Sequence, residues 1–309
     1  MIEELTEKYR PKDFDEVVGQ DSVIESLKSI LSRTEGIPHG FLFTGPHGCG
    51  KTTLAFICKE KMKCGERDFH YYNTSNTRGI DTIREIDTQC RYKPLSGPVK
   101  FYVLDECHKL TNEAQNALLT LLERPPRHAY FALCTTDPEK LLPTVKSRCV
   151  PFTLKSLKRM EILHLVKGIA NKEKVDFPPK IYSELSRVAN GSPRDAIKRL
   201  DAIIDIPTDE EALKAISEGI VGEADTIDIC RELISNDGVT TKWKIISDIV
   251  KKVDPEPESL RLAILGYLNV VLLNNPADKI ANLIELFSES TYSSGKAGMS
   301  LMLYLGCKL

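Results

Sequence analysis

The chain has 309 residues, of which 41% are apolar and 28% are charged. This mixture is typical of globular proteins and excludes a disordered, collagen-like or coiled-coil chain. At about 100–200 residues per domain, the length predicts two or three domains. No apolar stretch approaches the roughly 20 residues that span a bilayer, and the polar, acidic first residues do not resemble a signal peptide. We therefore expect a cytoplasmic protein that has no membrane partner.

The charged residues are unevenly distributed along the chain. Residues 51–200 carry 27 basic and 17 acidic side chains, whereas residues 1–50 carry 5 and 9 and residues 201–309 carry 10 and 18. A basic middle segment can bind a polyanion, although the same charges can simply solvate the exposed faces of helices. The nine cysteines form no CxxC pair and no cluster with histidines at the spacing of metal ligands. We expect free thiols and no zinc site.

Strand and helix signals alternate in the first half of the chain. Short apolar runs predict strands at residues 41–43, 69–72, 101–104 and 130–133. Amphipathic segments predict helices at residues 22–32, 52–61, 80–89 and 112–123. We expect a capping box of Ser22 and Glu25 to open the first of these helices. Strands that alternate with helices predict an α/β fold with a parallel sheet.

Only helical patterns follow residue 155. They lie at residues 158–171, 179–189 and 194–204, and then, after a break at residues 207–209, at 210–218, 225–235, 240–252, 258–273, 276–287 and 298–305. This organisation predicts an α/β domain, a small three-helix domain and a helical C-terminal domain.

A phosphate-binding loop is the strongest motif in the sequence. Residues 45–52 read GPHGCGKT, which fits G-x-x-x-x-G-K-[ST] between a predicted strand and a predicted helix. Glycines allow the backbone N–H groups to turn towards phosphates, and the N-terminus of the following helix adds partial positive charge. Lys51 is then expected to reach the β- and γ-phosphates, and the Thr52 hydroxyl to ligate Mg²⁺.

Two carboxylates end the third predicted strand. Asp105 is placed to act beside the metal ion, and Glu106 next to it is placed to take a proton from the attacking water. An apolar run that ends in Asp-Glu is weak on its own, but together with the upstream loop it predicts hydrolysis of a nucleoside triphosphate.

Further motifs resemble those of AAA+ clamp-loader ATPases. EKYRP at residues 7–11 and VVGQ at 17–20 resemble the N-terminal box of that family, and NTSNTRGID at 73–81 is similar to a segment of replication factor C small subunits. DECHKL at 105–110 and TTDPEKL at 135–141 look more like the bacterial gamma/tau subunit. SRC at 147–149 and GSPRDA at 191–196 match both. The resemblance is dense through about residue 205.

The resemblance implies an architecture and a set of residue roles. The fold would be an AAA+ P-loop parallel-sheet domain (residues 1–154), a helical lid with sensor 2 (155–206) and an all-helical collar (207–309). ATP would be bound by Lys8, Tyr9, Arg10, Val18, Gly45, Pro46, His47, Gly48, Cys49, Gly50, Lys51, Thr52, Thr53, Pro193 and Arg194, with Tyr9, Arg10 and Val18 beside the adenine. Mg²⁺ would be held by Thr52 and Asp105.

The same resemblance implies the catalytic groups and the partners. Thr136 would be sensor 1, Arg194 sensor 2, and Arg148 an arginine finger that acts in trans on a neighbouring subunit. Asn73 would hold Glu106 in an unproductive position until DNA binds. The partners would be a sliding clamp, primer–template DNA, contacted by Arg78, Arg84 and Lys109, and the other subunits of a pentameric loader. Gamma/tau subunits carry a cysteine zinc module after the phosphate-loop helix, and we expect none here.

Three other functions stay open at this stage. A clamp-loader scaffold that no longer hydrolyses ATP would not need Lys51, Thr52, Asp105 and Glu106 together. A branch-migration motor or an origin-binding AAA+ protein would require a C-terminal winged-helix domain that contains strands. A small-molecule kinase would need neither the SRC motif nor the sensor arginine.

Overall fold

The computed structural model of the chain describes residues 4–75, 79–217, 223–235, 237–291 and 294–309. The chain divides into two compact units, residues 1–205 and residues 206–309. The division lies beside the predicted start of the collar at residue 207. A further division of the first unit at residue 154 stays a prediction.

The first unit contains a five-stranded parallel sheet in the order β2-β3-β4-β1-β5. Its strands are β1 (Gly40–Thr44), β2 (Phe69–Asn73), β3 (Lys100–Asp105), β4 (Ala129–Thr135) and β5 (Val150–Thr153). The first four match the predicted strands, whereas β5 was not predicted. β5 lies at the edge of the sheet and contains Pro151, a residue that weakens a strand pattern and is tolerated at sheet edges.

Nine helices of four or more residues accompany this sheet among the described residues of the first unit. They are α1 (Leu5–Lys8), α2 (Asp21–Leu31), α3 (Lys51–Lys61), α4 (Ile80–Cys90), α5 (Asn112–Glu123), α6 (Pro143–Lys146), α7 (Arg159–Lys172), α8 (Pro179–Val188) and α9 (Pro193–Ile203).

The predicted capping box at the start of α2 is wrong. The helix begins behind Gln20, which adopts a left-handed conformation (φ 63°) and makes no side-chain cap. Instead, the Gln20 side-chain amide donates to the backbone carbonyl of Lys155 and its oxygen accepts from the Lys155 N–H. A tertiary contact therefore replaces the local cap.

Alternating strand residues build a core on each face of the sheet. On one face, Phe41 and Phe43 of β1 pack with Leu27 of α2 and Leu54 of α3. On the other face, Leu42 packs in a cluster with residues of α4 and α5. The result is a three-layer α/β/α arrangement in which β1, β3 and β4 are almost fully buried. The carboxyl ends of all five strands meet at one edge of the sheet.

Helices α7, α8 and α9 pack against one another after the sheet. Their amphipathic faces bury Ile162, Val166, Ile181 and Leu185, together with Leu200 of α9. Ser192 caps α9, since its side chain accepts a hydrogen bond from the N–H of Asp195.

Among its described residues, the second unit contains helices joined by turns and connecting segments, and no strand. The helices are α10 (Asp209–Ser217), α11 (Glu223–Ile234), α12 (Val239–Val253), α13 (Pro257–Asn274), α14 (Asp278–Phe287) and α15 (Gly295–Lys308). Residues of α11–α15 form its core around Ile264, Leu283 and Phe287. Within the described part of the whole chain, no helix combines the length and the apolar character needed to cross a membrane.

Candidate functional site at the carboxyl edge of the sheet

The loop after β1 is built from glycines that approach other backbone closely. Gly45 has φ +143°, and a Cβ atom there would lie 2.5 Å from the carbonyl oxygen of Leu154. Gly48 has φ +72°, and a Cβ atom there would lie 2.3 Å from Oγ of Ser192 at the start of α9. Only glycine fits both the conformation and the space at these positions. The loop therefore brings the N-termini of α3 and α9 to the same place.

Lys51 is the first residue of α3, and its side chain is enclosed by the loop. The residue is 7% exposed, and Nζ donates hydrogen bonds to the carbonyl oxygens of Gly45 (2.8 Å) and Pro46 (2.7 Å). A buried ammonium group beside a helix N-terminus is a site of concentrated positive charge. Such a site favours an anion.

Asp105 joins the loop to the end of β3. Its Oδ2 accepts hydrogen bonds from the hydroxyl of Thr52 (3.0 Å) and from the hydroxyl of Tyr71 (2.9 Å), while Oδ1 accepts from the N–H of Glu106 (3.0 Å). Burial, and then the negative charge of Asp105, raises the pKa of the Tyr71 hydroxyl. The phenol thus remains a donor to the carboxylate at neutral pH.

Glu106 has an unusual backbone conformation that directs its side chain. It is in the left-handed region (φ 54°, ψ 36°), which is uncommon for residues other than glycine and is often found at functional sites. The Thr74 hydroxyl donates to the carbonyl oxygens of both Asp105 (3.0 Å) and Glu106 (2.7 Å). The carboxylate oxygen Oε2 lies 3.4 Å from Nδ1 of His108, which is also 3.1 Å from the hydroxyl of Thr135. Contacts from Thr74, which follows β2, and from His108, in the turn after β3, therefore hold Glu106.

The N-terminal segment forms the opposite wall. The Tyr9 hydroxyl donates to Glu173, which also pairs with Lys8 at 2.6 Å. The guanidinium carbon of Arg10 lies 4.4 Å from the centre of the Phe56 ring on α3. These contacts attach the segment to α3 and to the end of α7.

Most of the groups described above line one cleft of about 740 Å³. Its lining includes Lys8, Tyr9, Arg10, Val18, His47, Gly48, Cys49, Gly50, Lys51, Thr52, Thr53, Asp105, Glu106, Pro193 and Arg194. Gly45 and Pro46 belong to the same loop and are bonded to Lys51. The structure thus brings the predicted ATP-binding and metal-binding residues together.

The cleft has a positive character around the loop. Burial, and then the neighbouring Lys51 ammonium, lowers the pKa of His47, and Arg194 acts in the same direction. Burial also raises the pKa of the Cys49 thiol. Both side chains are therefore neutral at pH 7, and the cationic groups Lys51 and Arg194 set the local charge.

Other predicted site residues lie outside the cleft. Thr136 and Asn73 are not among the described residues that line the cleft. Thr136 follows the end of β4. Asn73 is exposed, and its side-chain oxygen accepts a hydrogen bond from the N–H of Ser75 (3.0 Å). The Arg148 guanidinium donates hydrogen bonds within its own chain, to the carboxylate of Glu123 and to the carbonyl oxygen of Thr144 (2.8 Å).

The predicted DNA contacts are only partly covered by the structure. Arg84 pairs with Asp81 at 3.3 Å and is largely exposed, and Lys109 ends a short 3-10 turn after β3. Arg78 lies outside the described residues.

Three residues of the site were missed by sequence reasoning: Tyr71, Phe56 and His108. Tyr71 and Asn73 are two residues apart in β2, and side chains alternate between the two faces of a strand. The two side chains therefore lie on the same face of β2. His108 follows Glu106 by two residues and lies in the short turn after β3. The alternation was a usable signal for Tyr71, whereas the position of Phe56 depends on how α3 packs.

Comparison with known proteins places the chain in a family. The model of the family described as "DNA polymerase III, delta subunit" matches residues 57–158. The gamma subunit of DNA polymerase III from Buchnera aphidicola subsp. Baizongia pistaciae is 30% identical over 269 residues, which cover 79% of this chain and 72% of the relative. The chain belongs to the gamma/tau family of DNA polymerase III subunits. The resemblance to clamp-loader subunits is thereby confirmed.

Other members of the gamma/tau family are much longer. The tau subunit from Escherichia coli is 30% identical over 292 residues, covering 87% of this chain but 45% of the relative. The chain thus spans under half the length of that curated relative.

The fold is shared more widely than the sequence. The solved structure "Thermotoga maritima RuvB Holliday junction branch migration motor" has a TM-score of 0.60 at 20% sequence identity and covers 80% of this chain and 86% of that chain. At this identity the likeness concerns the fold alone. The predicted fold class, an AAA+ α/β domain followed by helices, is confirmed.

Proposed function

We propose that this gamma/tau-family chain is an ATPase subunit of a sliding-clamp loader. It would use ATP binding and hydrolysis to open a ring clamp and to place it on primer–template DNA. The observation that carries the proposal is the convergence of Lys51, the Thr52–Asp105 hydrogen bond and Glu106 in one cleft.

The cleft supplies distinct surfaces for the parts of ATP. The phosphates would lie on the loop at the N-termini of α3 and α9, where Lys51 and Arg194 provide positive charge. The adenine would lie between the Tyr9–Arg10 segment and Val18, where Leu165, Ile169 and Ile197 add apolar surface. Pro193 and Thr53 complete the lining near the loop.

The residues present fit a magnesium ion. Thr52 and Asp105 offer hydroxyl and carboxylate oxygens within hydrogen-bond distance of each other, and Mg²⁺ is commonly held by one or two protein oxygens together with substrate phosphates. No cluster of three histidine, cysteine or acidic side chains suited to a metal occurs among the described residues, so the fit rests on this oxygen pair. When bound, the ion would neutralise charge on the phosphate oxygens.

Glu106 would act as the base that takes a proton from water. Its backbone conformation and the neighbouring His108 hold the carboxylate beside the metal-binding pair. Burial is the main cause that lowers the pKa of His108, so that a neutral imidazole faces Glu106 at pH 7. A neutral neighbour keeps the carboxylate available as a proton acceptor.

The remaining roles concern regulation by assembly and by DNA. Arg148 would act in trans on the cleft of a neighbouring subunit, and to do so its guanidinium must exchange Glu123 for phosphate oxygens. Arg194 and Thr136 would sense the γ-phosphate, and Asn73 would hold Glu106 back until DNA binds.

The partners follow from the same proposal: a sliding clamp, primer–template DNA and the other subunits of a pentamer. Arg84 and Lys109, with Arg78 beyond the described residues, would contact the phosphate backbone of DNA. Such contacts release counterions, so binding to primed DNA should weaken steeply as salt rises. A flat salt profile would count against these side chains.

The alternative AAA+ functions lack support. A branch-migration or origin-binding protein would require a C-terminal winged-helix domain that contains strands, whereas the described residues after 206 form helices, turns and connecting segments. A scaffold that does not hydrolyse ATP would not require Glu106 beside an intact loop and Asp105.

Steady-state ATPase assays of the purified chain, with and without candidate clamp, primed DNA and partner subunits, test the proposal. We expect turnover to rise when clamp and primed DNA are both present. If turnover by the complete assembly did not change on addition of clamp and primed DNA, the result would contradict the clamp-loader function and favour another AAA+ role.

A further inference from the structure

Asp105 receives more hydrogen bonds than the phosphate-loop motif alone accounts for. Both Thr52 and Tyr71 donate to the same oxygen, Oδ2, at 3.0 and 2.9 Å, and the N–H of Glu106 occupies Oδ1. A carboxylate with donors on both oxygens is fixed in rotation. Tyr71 is the only one of these three donors that neither the motif nor the Asp-Glu pair predicts.

The Tyr71 ring is itself held in place by the helix that carries Thr52. Its centre lies 5.9 Å from that of Phe56 on α3, and the two rings are nearly perpendicular (80°). Edge-to-face geometry is a favourable arrangement for aromatic pairs. Tyr71 is nevertheless 44% exposed, so a large part of its ring faces the cleft rather than the core. Core packing does not explain why an exposed tyrosine donates its hydroxyl to Asp105, the carboxylate that is placed to hold the metal ion.

We propose that Tyr71 is a positioning residue that holds Oδ2 of Asp105 in the orientation needed to bind a divalent cation together with the nucleotide. This inference rests on the proposed function, because it concerns the same cleft. Groups that orient a metal ligand by hydrogen bonding commonly change metal affinity about 10–100-fold when they are mutated. Tyr71 acts on the cation through Asp105 and makes no step of the reaction itself.

The test compares Tyr71→Phe with Tyr72→Phe. The first change removes only the hydroxyl and leaves the ring on Phe56, so the fold is expected to be retained. The second removes a hydroxyl from the neighbouring residue, whose ring packs on the opposite face of the sheet with the Leu42 cluster. Binding of a non-hydrolysable ATP analogue is titrated by fluorescence over a range of Mg²⁺ concentrations and again in EDTA, and direct binding of Mn²⁺ is followed by electron paramagnetic resonance.

We expect Tyr71→Phe to raise the Mg²⁺ concentration needed for half-maximal nucleotide binding about tenfold. The affinity for Mn²⁺ should fall by a similar factor. Affinity in EDTA and the melting temperature should stay at wild-type values, and Tyr72→Phe should match the wild type throughout. An unchanged Mg²⁺ requirement in Tyr71→Phe would overturn the inference, and so would a loss of equal size in EDTA, which is the result of a merely structural role. A wild-type chain that binds no nucleotide at any Mg²⁺ concentration would instead overturn the proposed function.

Discussion

The hydroxyl of Thr52 donates to Oδ2 of Asp105 over 3.0 Å and so connects the start of α3 to the end of β3. Their positions, 53 residues apart in the chain, are brought together because β1 and β3 both run parallel to β4, which lies between them. Parallel strands end at the same edge, where ligands of open α/β sheets bind. The predictions for Glu106 and Lys51 depend on this geometry.

Replacing Glu106 by glutamine should separate ATP binding from hydrolysis. The amide keeps the size of the side chain but cannot take a proton from water, so turnover should fall about 10²–10⁴-fold while ATP affinity is retained. Pre-steady-state hydrolysis and equilibrium binding measure the two quantities. Glu35→Gln, at an exposed turn residue, is the matched control and should behave as wild type. Unchanged turnover in Glu106→Gln would remove Glu106 from the role of base.

Replacing Arg148 by alanine should affect hydrolysis only in the assembly. Nucleotide affinity of the isolated chain should be nearly unchanged, because Arg148 contacts Glu123 and Thr144 of its own chain and does not line its own cleft. Assembly-dependent hydrolysis should fall about 10³-fold or more. Glu123→Gln controls for loss of the ion pair alone and should retain hydrolysis. If the isolated Arg148→Ala chain lost as much ATP affinity as the assembly lost turnover, the role in trans would be wrong.

Gly48→Ala should destabilise the contact between the phosphate loop and α9. The added Cβ would lie 2.3 Å from Oγ of Ser192 at a residue with φ +72°. Gly36→Ala is a close control, since Gly36 has φ +73° but nothing within 4 Å of the added atom. We expect the Gly48 variant to lose about 1–3 kcal/mol more free energy of unfolding than the Gly36 variant and to bind ATP more weakly. Urea titrations measure the difference, and equal losses would show that the approach to Ser192 is not rigid.

Stability should fall below pH 6.5 in part because of His70. Burial, and then the charge of Lys100, lowers the pKa of His70, which stacks on Tyr102 at 4.8 Å. Because the unfolded state takes up the proton first, the contribution of His70 is complete above its unfolded pKa of about 6.5. It is lost as the pH falls from there through the folded pKa.

His70→Phe keeps an aromatic ring on Tyr102 but cannot be protonated. Melting temperatures measured from pH 8 to pH 5 should therefore fall less steeply in this variant than in the wild type. His164→Gln, at an exposed position of α7, should retain the wild-type slope. A His70→Phe chain with the wild-type slope would show that His70 does not contribute to acid destabilisation.

Much of the site could be predicted from sequence because its central residues belong to two short motifs, each of which is local in the chain. The loop at residues 45–52 and the Asp105–Glu106 pair depend on local motifs, and four of the five strands follow from apolar runs. The edge strand β5 was missed since Pro151 interrupts the pattern and only one neighbouring strand pairs with it.

The remaining differences come from contacts between distant segments. The capping box at Ser22 failed because Gln20 bonds to Lys155 instead. The contact of Tyr71 with Asp105 depends on the pairing of β2 with β3 and on the packing of Phe56, which no short motif encodes. Hydrogen bonds between side chains of segments that are distant in the chain therefore could not be predicted from the sequence alone.

The most direct measurement of the central claim is a calorimetric titration of Mg·ATP into the wild-type chain and into Lys51→Ala. The account predicts saturable binding at one site per wild-type chain, and a loss of at least about tenfold in affinity, or 1.4 kcal/mol, when the Lys51 ammonium is removed. The Lys61→Ala chain, altered at the exposed end of the same helix, should bind like the wild type. Absence of binding by the wild-type chain, or equal affinity in wild type and Lys51→Ala, would contradict the account.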